Sequence, residues 1–319
     1  MLARCAALAA AGALVLAGCN RAIDLSQVDS ERQKAWQRYD IVEALAANEE
    51  TVVGASQAGA VVVSSDHGRT WRRKVLGPVS IIGLTTCPDG GFVGIDFNHK
   101  VWSANGKGES WQSIALDKPR TPLAITCDGQ GRWWVAGSGA KIAVSADHGS
   151  NWTVTDLQED AQITTLQFVD AKHGFALAEF GHVIATEDGG ASWKKVAQIP
   201  GDFYPYAALF QDAKLGWVSG LAGQMLQTSD GGRTWSKAEN KSGASLYRLF
   251  THQGQPYGVG AGGVIVRLEQ KIWQPVAYPD AVPVFLGAGA SLGEHQAAVI
   301  IGGPGGLVRA VATDAGGRS

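Results

Sequence analysis

The chain has 319 residues, with 27 Lys plus Arg against 29 Asp plus Glu, a formal net charge of −2. Only 18% of residues are charged and no basic run appears, which argues against nucleic-acid binding, while 45% hydrophobic residues exclude a disordered chain. Glycine is abundant at 42 residues and tryptophan at 11, with only 2 Met, a balance that favours short strands joined by tight turns over helices.

The N-terminus reads MLARCAALAAAGALVLAGCN. Arg4 is a minimal positive start, and Ala6 to Ala17 is an apolar stretch too short to span a bilayer. It closes on Leu16-Ala17-Gly18-Cys19, the pattern of a bacterial lipoprotein box, so residues 1–18 read as a signal peptide and Cys19 as the lipidated residue. Residues 19–34 are polar and read as a lipidated tether, with the folded domain over 35–319. The expected location is the bacterial periplasm, held at a membrane through the N-terminal lipid.

Beyond the tether the sequence repeats itself. Trp71, Trp111, Trp152, Trp193, Trp235 and Trp273 are spaced 40, 41, 41, 42 and 38 residues apart. Four of them close well-kept copies of one motif: SDHGRTW (65–71), ADHGSNW (146–152), EDGGASW (187–193) and SDGGRTW (229–235). SANGKGESW (103–111) is a looser copy, and RLEQKIW (267–273) has lost the Asp and the Gly. Upstream of each lies a Gly-rich turn and a β-branched strand, in seven copies from VVGASQAGAVVVS to AVIIGGPGGLVRA. A period of about forty residues is the length of one four-stranded propeller blade. The expected fold is therefore all-β, a seven-bladed β-propeller. The last copy never reaches its Trp, while AWQRYD (35–40) carries a Trp without a motif. Residues 35–40 are therefore expected to supply the missing outer strand of the last blade and remove an open edge.

In the motif the Asp carboxylate can accept hydrogen bonds from backbone N–H groups of the hairpin, and the Gly supplies a positive φ. Asp66, Gly68, Trp71, Asp147, Gly149, Trp152, Asp188, Gly190, Trp193, Asp230, Gly232 and Trp235 are thus structural residues. The motif is that of the Asp-box, or bacterial neuraminidase repeat. The longer strings GWVSGLAGQMLQTSDGGRTW (216–235) and GFALAEFGHVIATEDGGASW (174–193) resemble the repeat of the photosystem II stability/assembly factor family. That resemblance implies a seven-bladed propeller that binds a membrane-protein assembly intermediate and is not an enzyme. The family's photosynthetic members present an Arg-rich patch, whereas this chain is slightly acidic and is more similar to lipoprotein members from non-photosynthetic bacteria. The resemblance further suggests a link to resistance-nodulation-division-type export systems.

Asp-boxes also occur in glycoside hydrolases, so a carbohydrate-active enzyme, sialidase-like or otherwise, and a glycan-binding module are the alternatives. The expected inner strands are IVEAL, SIIGLT, PLAIT, ITTLQF, YAALF, SLYRLF and PVFLG, whose charged residues are Glu43 and Arg248. One Arg cannot form a sialidase triad. Hydrolysis by two carboxyls would need Glu43 with Asp96 or Glu179, both in turns between second and third strands. No metal, cofactor or nucleophile motif is present. Cys87 and Cys127 end the first strands of adjacent blades, one repeat apart, and read either as a disulfide or as two buried thiols. A protein partner is expected on the face that carries the second-to-third-strand turns and the links between blades. Asp96, Phe97, Arg120, Glu179, Phe180, Phe203, Tyr204, Tyr206 and Tyr278 are the candidates there, because clustered aromatics anchor interfaces. The chain reads as a monomer that acts as a scaffold or accessory factor for a membrane or envelope protein.

Overall fold

The computed structural model describes residues 24–293 and 295–313. The expected signal peptide, residues 1–18, and the expected lipidation residue Cys19 lie outside the described residues. A short helix, Ser26–Arg32, buries none of its residues, and no helix among the described residues is long and apolar enough to cross a membrane.

From Val42 onward the chain forms seven sheets in sequence order, the blades of a propeller. Blade four is representative: Ile163–Phe168, Gly174–Ala178, His182–Thr186 and Lys194–Gln198 pair successively as antiparallel neighbours. The innermost strands are Val42–Ala47, Ile81–Thr86, Pro122–Cys127, Ile163–Phe168, Ala207–Phe210, Leu246–His252 and Ala288–Ser291. Each touches the innermost strands of the blades on either side, and the seventh touches the first, so the ring is closed. In blade seven the inner strand starts just after the expected PVFLG, because Leu286 N–H donates to the Gly260 carbonyl and the Val284 carbonyl accepts from Gly263 N–H, both at the second-to-third-strand turn of blade six.

Burial follows the stacking. The second strands of blades one to four are buried at every residue, whereas the outermost strands are largely exposed. A middle strand has a neighbouring blade on both faces, which is why it reads VVGAS or WWVAG with no polar alternation. The core is accordingly a series of clusters between successive blades, such as Trp134, Ile142, Ile163, Leu166 and Trp193 between blades three and four.

The motif hairpins are built as the sequence implied. Asp188 accepts from the Ser192 N–H (2.9 Å), the Ser192 hydroxyl (2.6 Å) and the Thr186 hydroxyl (2.7 Å). Gly190 has φ +85°, and a Cβ there would lie 2.1 Å from the Trp134 ring of blade three, so only glycine permits the two blades to close. In the looser copy Asn105 replaces the Asp and accepts from the Lys107 and Glu109 N–H groups.

Closure involves the N-terminal segment, in a form that differs from a full ladder strand. Residues 35–40 bend, and the sheet of blade seven keeps three strands, Ala288–Ser291, Ala298–Gly302 and Val308–Ala312. The segment docks instead by an Ile41–Pro304 bridge, by Gly306 N–H donating to the Asp40 carbonyl (2.8 Å), and by Trp36 packing among Ile300, Val308 and Trp71. Asp40, fully buried, accepts both Arg73 guanidinium nitrogens (2.7 and 3.0 Å) and ties this segment to blade one. Cys87 and Cys127 are joined as a disulfide with Cα atoms 5.2 Å apart, linking the inner strands of blades two and three.

Candidate partner-binding face

Antiparallel pairing puts the turns between second and third strands, and the links from one blade to the next, on the same side of the disc. The short turns of the opposite side, including the Asp-box hairpins, are polar. The exposed large hydrophobic side chains divide between the two sides very unequally. Phe97, Phe180 and Leu221 project from second-to-third-strand turns of blades two, four and five, and Tyr204, Val282 and Phe285 from links between blades. None of the exposed large hydrophobics belongs to an Asp-box hairpin.

The nine residues expected on this face divide into three groups. Phe97 (56% exposed), Phe180 (47%), Tyr204 and Arg120 are at the surface as expected. Glu179 and Tyr206 are half-buried there: Glu179 accepts from the Gln162 backbone and side chain at 3.1 and 3.3 Å, and Tyr206 stands in the wall of the central channel. Asp96 and Phe203 are buried, and Tyr278 is half-buried with its hydroxyl engaged. Asp96 is fully buried and accepts from the N–H groups of Asn98 and Lys100 and from the Trp102 indole (2.7 Å). It pairs with Ile81 as Ala178 pairs with Ile163, so it is the last residue of a buried strand, one step before the turn position of Glu179. Phe203 (5% exposed) fills the core between blades four and five with Leu177, Ile199 and Val218. Tyr278 donates its hydroxyl to the Gly263 carbonyl (2.6 Å) and packs in the cluster between blades six and seven.

Three tyrosines lead from the surface inward. Tyr204 lies edge-on to Tyr206 (centroids 5.8 Å apart) and Tyr206 edge-on to Tyr247 (5.3 Å). Burial pushes the Tyr204 phenol up, and the nearby Glu179 adds to the effect. Tyr206 and Tyr247 border a channel cavity of about 270 Å³, walled by the inner strands of blades two to six. Arg248 also faces this cavity. Water reaches its side chain, yet the surrounding protein lowers its pKa by desolvation, and it has no ion-pair partner among the described residues. Tyr247, Arg248, Leu221, Val282 and Phe285 were not picked out as partner-site residues from sequence. Their signal was present for Arg248, the lone cation of the inner strands, but the others are single apolar residues with no motif around them.

The three carboxyls considered for glycoside hydrolysis come from three different blades. Glu43 belongs to blade one, Asp96 to blade two and Glu179 to blade four. Burial raises the pKa of Glu43, but Asp96 is held by three donors within its own turn. Among the described residues no group of His, Cys, Asp and Glu gathers as a metal site.

Residues 145–239, spanning blades four and five and their flanks, match the family model described as photosynthesis system II assembly factor YCF48. Over this stretch the chain is similar to the photosystem II assembly factor family, and its seven blades give the propeller fold. No curated protein matches it. Among solved structures the chain is similar to YCF48 bound to D1 peptide, at 16% identity and TM-score 0.69, covering 88% of this chain and 96% of that one. YCF48 from Cyanidioschyzon merolae aligns at 16% identity and TM-score 0.69, over 87% and 99% of the two chains. A catalytically inactive virginiamycin B lyase from Staphylococcus aureus with quinupristin aligns at 12% identity and TM-score 0.74, over 86% and 96%. At such identities these neighbours report the fold alone, and that fold carries both a binding protein and an enzyme.

Proposed function

We propose that this chain is a non-enzymatic docking propeller that holds a segment of a membrane or envelope protein complex on its apolar face during assembly. The observation that carries this reading is the concentration of exposed Phe97, Phe180, Tyr204, Leu221, Val282 and Phe285 on one side of the disc. Exposed aromatic clusters of this kind mark interaction sites. Phe180 strengthens it, because it sits at φ +60°, where the corresponding turns of blades three and six place Gly139 and Gly262. A bulky residue in the left-handed region costs about 1–2 kcal/mol, and at this position the ring is not repaid by burial. The YCF48 neighbour that binds a D1 peptide supports a polypeptide as the class of partner.

The lipoprotein box at Leu16 to Cys19 supports a membrane-anchored, periplasm-facing location, with the polar tether holding the disc near its partner. An exporter of the resistance-nodulation-division type is the first partner to test. The experiment is crosslinking capture from envelopes with the parent chain, with Phe180→Gly and with Phe97→Ser. Phe180→Gly should melt at or above the parent temperature, since it relieves a positive-φ strain, yet lose the captured partner. Equal capture by parent and both variants would refute the assignment of this face.

A further inference from the structure

We propose that the cleft between blades five and six, on the side opposite the apolar face, is a binding site for a neutral saccharide. The cleft follows from a local loss in the repeat. Elsewhere the Asp-box hairpin of one blade lies over the preceding blade, as Gly190 lies on Trp134 and Gly232 on Val183. Blade six replaces that hairpin with a two-residue turn, Gln270 and Lys271, both at positive φ, between the paired residues Glu269 and Ile272. Nothing then covers the matching part of blade five. What remains is a cavity of about 390 Å³ bordered by Gln211, Trp217, Gln227, Ser229, Trp235 and Lys271. That volume falls within the range of about 300–1,000 Å³ typical of small-molecule sites.

The lining has the two-sided character that a sugar ring requires. Trp235, half-buried, supplies indole surface for the apolar C–H face of a pyranose. Gln211, Gln227 and Ser229 supply amide and hydroxyl groups that donate and accept, and their side chains make no hydrogen bond with other described residues. The neighbouring Thr228 and Thr234 hydroxyls, by contrast, are already committed to Asp230. Trp217, which borders the cavity, is 3% exposed, and its buried indole N–H has no partner, an unmet donor behind the lining. Lys271 is the only charged residue of the lining, so the site lacks the opposed charges that would select a zwitterionic or acidic peptide. The proposal does not depend on the apolar face or on any protein partner.

The test is saturation-transfer NMR and calorimetry on the purified chain with maltose, cellobiose and diacetylchitobiose, and with a neutral tripeptide as the competing class. Saturable millimolar binding of at least one saccharide is expected. The double substitution Gln211→Ala, Gln227→Ala should weaken it about tenfold or more without changing the melting temperature, because two hydrogen bonds are removed. Ser229→Trp, which fills the cleft, should abolish it. Absence of saturable binding by all three sugars, binding of the tripeptide alone, or sugar binding unchanged in both variants would each overturn the proposal.

Discussion

The seam of the ring offers the sharpest test of how this propeller is held shut. Asp40 is fully buried and takes two hydrogen bonds from Arg73, one from the Ser56 hydroxyl and one from the Gln37 N–H. Arg73, only 15% exposed, has one other acceptor, the Ala35 carbonyl at 3.0 Å. In Asp40→Ala the guanidinium stays buried with its charge unmatched, and Ser56 and Gln37 lose their acceptor. Removing one partner of a buried pair costs about 3–5 kcal/mol. At about 2–4 °C per kcal/mol for a domain of this size, the melting temperature should fall by about 6 °C or more. The double change Asp40→Leu, Arg73→Met should cost less than Asp40→Ala alone, since no charge is then stranded. Hydrogen exchange should locate the damage in residues 41–47 and 298–312, where the segment joins blades one and seven. Burial pushes the Asp40 carboxyl up, but the bonds from Arg73, Ser56 and Gln37, with the Arg73 charge, hold it below the usual carboxylate value. A depressed folded-state pKa means this contribution is complete above the unfolded value and fades as pH falls through the folded one, so the seam should weaken only below about pH 4. A loss under about 1 kcal/mol, the worth of an exposed ion pair, would refute the reasoning that this pair holds the closure.

The disulfide and the hairpins give two further expectations. Replacing Cys87 and Cys127 by Ser frees a loop of 40 residues and should lower stability by about 2–4 kcal/mol in urea unfolding, with reductant reproducing the loss in the parent; insensitivity to reductant would mean that the two sulfurs are not bonded. The Asp147, Asp188 and Asp230 carboxyls are held at about 2, first by the side chains of Asn151, Ser192 and Thr234 and then by backbone N–H groups. Depressed in the folded state, their support is present above the unfolded value near 4 and lost as pH falls toward 2. The amide resonances of Gly149, Gly190 and Gly232 should therefore shift together in that window, and three unrelated midpoints near 4 would contradict the shared geometry.

The architecture was legible because it is repeated. The tryptophan spacing, the Asp-Gly turns and the runs of small and β-branched residues each imply the same blade, and seven copies fix the ring. The closing segment was harder to read. Trp36 does pack at the seam, but Asp40, in a stretch that looks like an ordinary outer strand, turns inward to meet Arg73, and residues 35–40 bend away from the ladder. No local pattern announces a pairing across 33 residues between the closing segment and a strand. On the partner face, position within the turn decided each outcome. Asp96 and Phe97 are adjacent in sequence, yet the first ends a buried strand and the second begins the exposed turn. Aromatic character alone could not separate Phe203, which fills a core, from Tyr204, which does not.

The seven copies also serve as a reference for one another, and the functional signal lies where one copy departs from the rest without a folding reason. Gly190 and Trp134 keep the common pattern because two blades cannot otherwise approach. Phe180 breaks it in the opposite sense, placing a ring at a left-handed position that glycine takes in blades three and six. Blade six breaks it by omission, replacing the hairpin with the Gln270–Lys271 turn; its Trp273 is buried without an acceptor for its N–H, as is Trp193 in the intact box of blade four, whereas Trp71, Trp111, Trp152 and Trp235 donate to the Gly carbonyl of their boxes. Each departure costs stability that an ordinary copy would have kept. The two departures lie on opposite sides of the disc, so one side can engage a polypeptide while the other remains open. Capture by the apolar face should therefore be unaffected by Ser229→Trp, and sugar binding by Phe180→Gly. Loss of both activities in either variant would mean that the two sides are coupled through the blades.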